Sequence, residues 1–87
     1  MKRVGIVGGG QLARMLALAG RPLGLEFTAL DPGSDACASA AARLVVAPYD
    51  DTAALAHLAS LSDVVTYEFE NLSAAALDGL AAAVPVR

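Results

Sequence analysis

An apolar run that ends in three glycines and passes directly into a helix-like pattern constrains the fold of this chain more than any other feature. The run Val4 to Val7 precedes the glycines, and Gln11 opens the helical pattern. Glycine allows a tight turn and close approach of a ligand to the backbone, while a helix N-terminus offers N–H groups and the positive end of its dipole. We therefore predict a strand, a turn and a helix around a site for a small polar ligand, with the turn shaped by Gly8, Gly9 and Gly10.

Strand and helix patterns continue to alternate along the 87 residues. Strands are predicted at 2–7, 26–30, 44–47 and 63–67, and helices from 11 onward, over 35–42, after 50–52 and over 73–83. This alternation is typical of βαβ units with right-handed crossovers. We predict an α/β fold, a Rossmann-like open parallel sheet in the order 3-2-1-4 with helices on both faces. Residues 84–87 resemble the start of a fifth strand, so we expect residues 1–87 to be one domain of a longer protein.

The first helix is predicted to pack on the sheet through its larger side chains. These follow the i, i+3, i+4, i+7 spacing of one helix face. Gly20 and Pro22 are predicted to end or kink the helix, because proline lacks an N–H and restricts the residue before it. The predicted inward residues are Leu12, Met15, Leu16, Ala19 and Leu23.

Composition excludes several classes of protein. The net charge is −3, with six Lys and Arg residues and 5% aromatic residues, which argues against a nucleic-acid partner. No apolar stretch reaches the length of a membrane span, and the first residues lead straight into a strand, so we expect a cytoplasmic protein without a membrane partner. The single cysteine, Cys37, can form no internal disulfide, and no spacing of residues typical of a metal site is present.

Two sequence segments are predicted to meet at the carboxyl edge of the sheet, where the strand order reverses and ligands bind in such folds. One is the glycine turn, and the other is the segment after strand four, with Glu68, Glu70 and Asn71. Glu68 is nearer the strand and is predicted to reach the turn, where its carboxylate suits ribose hydroxyls or an amine. The simpler alternative is that both glutamates are solvated loop residues.

A dinucleotide site is a second interpretation of the same turn. Gly8, Gly10 and Ala13 fit the pattern Gly-x-Gly-x-x-Ala, and Asp31 follows Gly10 by 21 residues at the end of strand two. That spacing is typical of NAD-binding domains of oxidoreductases, in which the acid binds a ribose hydroxyl. Asp31 could equally be a turn residue before Pro32. A third interpretation is a structural or regulatory domain that binds no small molecule. His57 is interpreted as a surface residue, and no catalytic constellation is apparent.

Four segments together resemble one family. They are Gly-Gly-Gly-Gln-Leu-Ala-Arg-Met at 8–15, Leu-Asp-Pro at 30–32, Ala-Pro-Tyr-Asp-Asp at 47–51 and Asp-Val-Val-Thr-Tyr-Glu-Phe-Glu-Asn at 63–71. The chain resembles the N-terminal, pre-ATP-grasp domain of 5-(carboxyamino)imidazole ribonucleotide synthases, the ATPase subunit of phosphoribosylaminoimidazole carboxylase. At position 13 this chain has alanine, whereas the family often has glycine.

The resemblance implies an ATP-dependent ligase of de novo purine biosynthesis with three domains. Such an enzyme forms carboxyphosphate from ATP and bicarbonate and carboxylates 5-aminoimidazole ribonucleotide. It implies that Gln11, Leu12 and Glu68 contact the substrate, and that no catalytic or metal-binding residue lies in this chain. Asp31 and Glu70, singled out above by their spacing, are secondary candidates. ATP and magnesium would be bound mainly by the other domains, the full-length protein would be a homodimer, and the fragment alone would be inactive.

Overall fold

The structure, a computed structural model, describes residues 2–67 and 73–86. Within these residues strands and helices alternate, as in βαβ units, except that the second and third strands are joined by a 3-10 turn, Cys37–Ala40, instead of a helix. Another 3-10 turn, Arg21–Leu23, follows the first helix. The elements are β1 (Arg3–Val7), α1 (Gln11–Gly20), β2 (Glu26–Asp31), β3 (Arg43–Val46), α2 (Thr52–Ser60), β4 (Val64–Tyr67) and α3 (Ala74–Ala83).

The four strands form one parallel sheet in the order β3-β2-β1-β4, which confirms the predicted topology. Val7 lies opposite Leu30 of β2 and opposite Tyr67 of β4, so the carboxyl ends of these three strands meet at one edge. A parallel bridge joins Val65 to Val86, and the Val65 N–H donates to the Pro85 carbonyl at 2.9 Å. The predicted start of a fifth strand thus lies beside β4.

The sheet separates two clusters of buried side chains. Helices α2 and α3 cover one face, where leucine and valine dominate, while α1 and the second 3-10 turn cover the other face, where alanine dominates. Short alanine side chains bring α1 close to the strands. The first cluster comprises Val7, Leu30, Leu55, Leu58, Ala59, Val65, Ala76, Leu80 and Val84, and the second Ile6, Ala13, Ala17, Phe27, Ala29, Ala38 and Ala41.

The face of α1 that packs on the sheet differs from the prediction. The buried residues of α1 are Ala13, Ala17 and Gly20. A Cβ at Gly20 would lie 2.6 Å from Cε1 of Phe27, so the ring occupies the space of a side chain. The small residues permit this close approach, and larger side chains in their place would force the helix away. The predicted inward residues are therefore exposed: Leu12, Met15, Leu16, Ala19 and Leu23.

Other differences are local. The helix predicted over 35–42 is only the 3-10 turn Cys37–Ala40, since the segment between β2 and β3 is short.

The helix boundaries follow the predicted signals. Helix α1 ends at Gly20, Asp51 caps α2 by accepting from the Ala54 N–H at 3.0 Å, and Ser73 caps α3. Within the described ranges, none of the helices is long and apolar enough to cross a membrane.

Candidate functional site

The glycine turn joins the end of β1 to α1 at the carboxyl edge of the sheet. Gly8 has φ 114°, a left-handed conformation that favours glycine, and its N–H donates to the Leu30 carbonyl at 2.7 Å. Gly9 is buried, and a Cβ there would lie 3.0 Å from Cβ of Asp31 and 3.2 Å from Cβ of Ala36. The turn is therefore fixed in place by close contacts that only glycine permits.

Asp31, at the end of β2, binds this turn through its carboxylate. Oδ2 accepts from the Gly9 N–H at 2.9 Å and from the Tyr49 hydroxyl at 3.0 Å, while Oδ1 accepts from the Gly33 N–H at 2.9 Å. The contact to Gly33, two residues on, is the turn interaction that one sequence interpretation predicted. The other two contacts link the glycine turn to the loop between β3 and α2.

Two opposing effects act on the pKa of Asp31. Partial burial raises it, but hydrogen bonds from Gly33, Gly9 and Tyr49 to the charged form together hold the pKa below its ordinary value of 3.8. Asp31 is therefore ionised at neutral pH, and its charged carboxylate accepts hydrogen bonds from these three residues of the protein itself. A role of Asp31 in binding a ribose hydroxyl stays a prediction.

The first turn of α1 faces the carboxyl edge. Gly10 is the N-cap and, having no side chain, supplies no side-chain cap to the N–H groups that begin the helix. Gln11 and Leu12 follow, both exposed, with Leu12 66% exposed. Cys37 Sγ lies 3.6 Å from Oε1 of Gln11, so the cysteine, an exposed residue, lies beside the predicted site. A helix N-terminus of this kind can donate to the oxygen atoms of a ligand.

The end of β4 lies beside the glycine turn, because Tyr67 pairs with Val7. A small groove of about 150 Å³ runs between α1 and β4, lined by Leu12, Leu16 and Thr66 among others. Glu68, Glu70 and Asn71 follow Tyr67 in the sequence but lie outside the described residues, so the predicted contact of Glu68 with the turn stays a prediction. His57 is exposed on α2, as predicted.

Sequence reasoning missed Tyr49 as a residue of this site. Its hydroxyl reaches the same oxygen of Asp31 as the glycine turn does. Tyr49 lies in the segment Ala-Pro-Tyr-Asp-Asp at 47–51, which is one of the four segments that carry the family resemblance. The sequence analysis assigned no role to this tyrosine.

Known proteins share both the sequence and the fold. The N5-carboxyaminoimidazole ribonucleotide synthase of Pseudomonas aeruginosa is 49% identical over 84 residues, which are 97% of this chain and 23% of that protein. The crystal structure of the corresponding synthetase from Thermus thermophilus superposes with a TM-score of 0.90 at 51% identity, over 95% of this chain and 23% of that one.

A more distant structure was solved with ligands. The N5-carboxyaminoimidazole synthase of Aspergillus clavatus, in complex with ADP and 5-aminoimidazole ribonucleotide, has a TM-score of 0.85 and 33% identity over 98% of this chain and 23% of that one. This chain thus spans about a quarter of the length of each of these relatives.

The model of a whole domain family matches as well. The match covers residues 1–87, and the family is described as the ribonucleotide synthetase preATP-grasp domain. The sequence identity to the Pseudomonas aeruginosa protein and the superposition on the Thermus thermophilus structure agree with this match. The chain belongs to the ribonucleotide synthetase preATP-grasp domain family.

Proposed function

We propose that this chain is the N-terminal substrate-binding domain of a three-domain ATP-dependent ligase of de novo purine biosynthesis. The reaction is the carboxylation of 5-aminoimidazole ribonucleotide with bicarbonate through carboxyphosphate. One observation carries the proposal: the glycine turn that opens α1 lies beside the end of β4, in a chain that is 49% identical to an N5-carboxyaminoimidazole ribonucleotide synthase.

The chain's own groups position the ribonucleotide rather than carry out the chemistry. Backbone N–H groups of Gln11 and Leu12 donate to substrate oxygens, and Glu68 accepts from ribose hydroxyls or the amine. Asp31 and Tyr49 keep the glycine turn, and with it the start of α1, in position for these contacts. Holding a weak nucleophile in place near a short-lived electrophile can lower a barrier by several kcal/mol.

ATP and magnesium belong to the remaining three quarters of the relatives' length, where ATP supplies the phosphoryl group that activates bicarbonate. Residues 2–67 and 73–86 hold no group of three or more His, Cys, Asp or Glu residues that could bind a metal ion. We further propose that the 87-residue chain is inactive alone, that the complete enzyme is a homodimer, and that it acts in the cytoplasm.

Substitution in the complete enzyme tests the proposal. Gln11→Pro removes the backbone donor at the first helical position, where proline is tolerated, and Glu68→Ala removes the side-chain acceptor. Both are expected to raise KM for the ribonucleotide and to leave KM for ATP nearly unchanged. The control is His57→Ala, on the exposed face of α2, which is expected to change neither constant. An equal rise of both KM values in the Gln11 and Glu68 variants would contradict a role in ribonucleotide binding.

A nicotinamide-binding role is the alternative function from the sequence. It requires Asp31 to accept from a ribose, yet three hydrogen bonds already occupy its two oxygens. Titration of the chain with NADH, followed by fluorescence, separates the two functions: we expect no saturable change, and saturable binding would favour the oxidoreductase.

A further inference from the structure

A second cleft lies at the amino edge of the sheet, opposite the glycine turn. Strand β2 begins at Glu26, but its pairing with β3 begins only where Thr28 meets Arg43. The first two residues of β2 have no partner on β3, and the space beside them is lined by residues of the two 3-10 turns and of the segments that follow those turns. This amino-edge cleft has a volume of about 570 Å³, within the usual size of small-molecule sites of roughly 300–1,000 Å³.

Positive charge is concentrated at the amino-edge cleft. Arg3, Arg21 and Arg43 line it from three different parts of the fold, and Glu26 is the one carboxylate among its described lining residues. The chain as a whole has a net charge of −3, so this concentration runs against its overall charge. Since the arginines are distant in sequence, the fold itself brings them together.

Two of these arginines have no internal counter-ion in the part of the chain that the structure describes. Nη2 of Arg3 forms a salt bridge with Oδ1 of Asp63 at 3.3 Å. Within residues 2–67 and 73–86, Arg21 and Arg43 take part in no salt bridge. Two arginines without a carboxylate partner among these residues therefore line a cleft in which Glu26 is the one described carboxylate.

We propose that the amino-edge cleft binds a small phosphate-bearing anion, as a site separate from the glycine turn and independent of the proposed function. The planar guanidinium group matches phosphate oxygens with two parallel hydrogen bonds. Ser39 lines the same cleft and adds a hydroxyl donor, while Glu26 can accept from a hydroxyl group elsewhere on the ligand. Arg21 and Arg43 supply the charge that holds the anion.

Calorimetric titration of the 87-residue chain with inorganic pyrophosphate tests the site. We expect saturable binding at one site, weakened about tenfold by Arg43→Gln and by Arg21→Gln, which corresponds to the loss of one charge-assisted contact. Glu26→Gln is expected to strengthen binding, because it removes the opposing charge. Arg14→Gln, in the first turn of α1 at the opposite edge, is the matched control and is expected to leave affinity unchanged.

Three results would overturn the proposal. They are the absence of saturable binding at millimolar pyrophosphate, an unchanged affinity in both the Arg21 and Arg43 variants, and an equal loss of affinity in Arg14→Gln, which would indicate unspecific attraction. Because Arg21 and Arg43 are exposed, their variants should fold, and a circular dichroism melt of each variant confirms this before titration.

Discussion

Replacing Asp31 with asparagine keeps the shape of the side chain but removes one acceptor oxygen. The carboxylate accepts from Gly9 and Tyr49 through Oδ2 and from Gly33 through Oδ1. Asparagine has one oxygen and one NH₂ group, so either rotamer places an N–H donor against a backbone N–H. Leaving a buried donor unsatisfied costs about 1–3 kcal/mol, and we expect Asp31→Asn to lower the free energy of unfolding by about 2 kcal/mol.

The pH dependence identifies the carboxylate as the cause. Because the pKa of Asp31 is lowered in the folded state, its contribution to stability is complete above the ordinary value of 3.8. The contribution is lost as the pH falls through the lowered pKa of the folded protein. The difference in stability between wild type and Asp31→Asn should therefore be constant from pH 7 to pH 5 and shrink below 3.8.

Urea denaturation followed by circular dichroism measures these differences. Tyr49→Phe removes one hydrogen bond to the same carboxylate and is expected to cost about 1 kcal/mol. In the Asp31→Asn background it should cost less, because the charged acceptor is already gone. A loss below about 0.5 kcal/mol for Asp31→Asn, the range of ordinary surface substitutions, would refute the reasoning, as would a loss that does not shrink below pH 3.8.

Three further predictions concern the helices. Gly20→Ala should destabilise the fold by about 1–3 kcal/mol, because the added Cβ overlaps the ring of Phe27. Gly79→Ala should stabilise the fold by about 0.5–1 kcal/mol, because nothing lies within 4 Å of its added Cβ. Urea denaturation that gives both changes the same sign would contradict this reasoning. Asp51→Ala should cost about 1 kcal/mol by removing the cap of α2, and Asp50→Ala, beside the cap, should cost much less by the same assay. Met15→Lys should leave the melting temperature in a circular dichroism melt unchanged, because this side chain is 56% exposed, and a lowered melting temperature would mean that it is buried.

The topology of the sheet could be predicted because strand order depends on signals that are local and strong. Alternating apolar runs and caps such as Asp51 identify the elements, and the handedness of βαβ crossovers then leaves few arrangements. The segment over 35–42 was predicted as a helix from its alanines, but helix propensity alone does not form a helix in so short a connection.

The orientation of α1 could not be predicted from periodicity, because its sequence contains two stripes with helical spacing. Large residues such as Leu12 and Met15 form one stripe, and Ala13, Ala17 and Gly20 form the other. The usual rule buries the larger side chains. The distance between α1 and the sheet decides which stripe is buried, and that distance depends on tertiary contacts such as the one between Gly20 and Phe27.

The candidate site, like the fold, could be predicted only in part. The meeting of the glycine turn with the end of β4 follows from strand order, which the sequence predicts. The contacts of Asp31 with Gly9 and Tyr49 join residues 22 and 18 positions apart, and they depend on side-chain geometry that no spacing rule describes. Predicting the edge of the sheet was therefore possible, and predicting the hydrogen bonds on it was not.

The unequal composition of the two buried clusters has a consequence for local opening. On the α1 side five of the seven buried residues are alanines, whereas the α2 and α3 side contains four leucines and three valines. Less apolar area leaves solvent when α1 packs, so α1 detaches at a lower free-energy cost than α2 or α3. Amide protons of α1 should then exchange with solvent first, and any ligand bound at its N-terminus would slow that exchange in the less stable half of the domain.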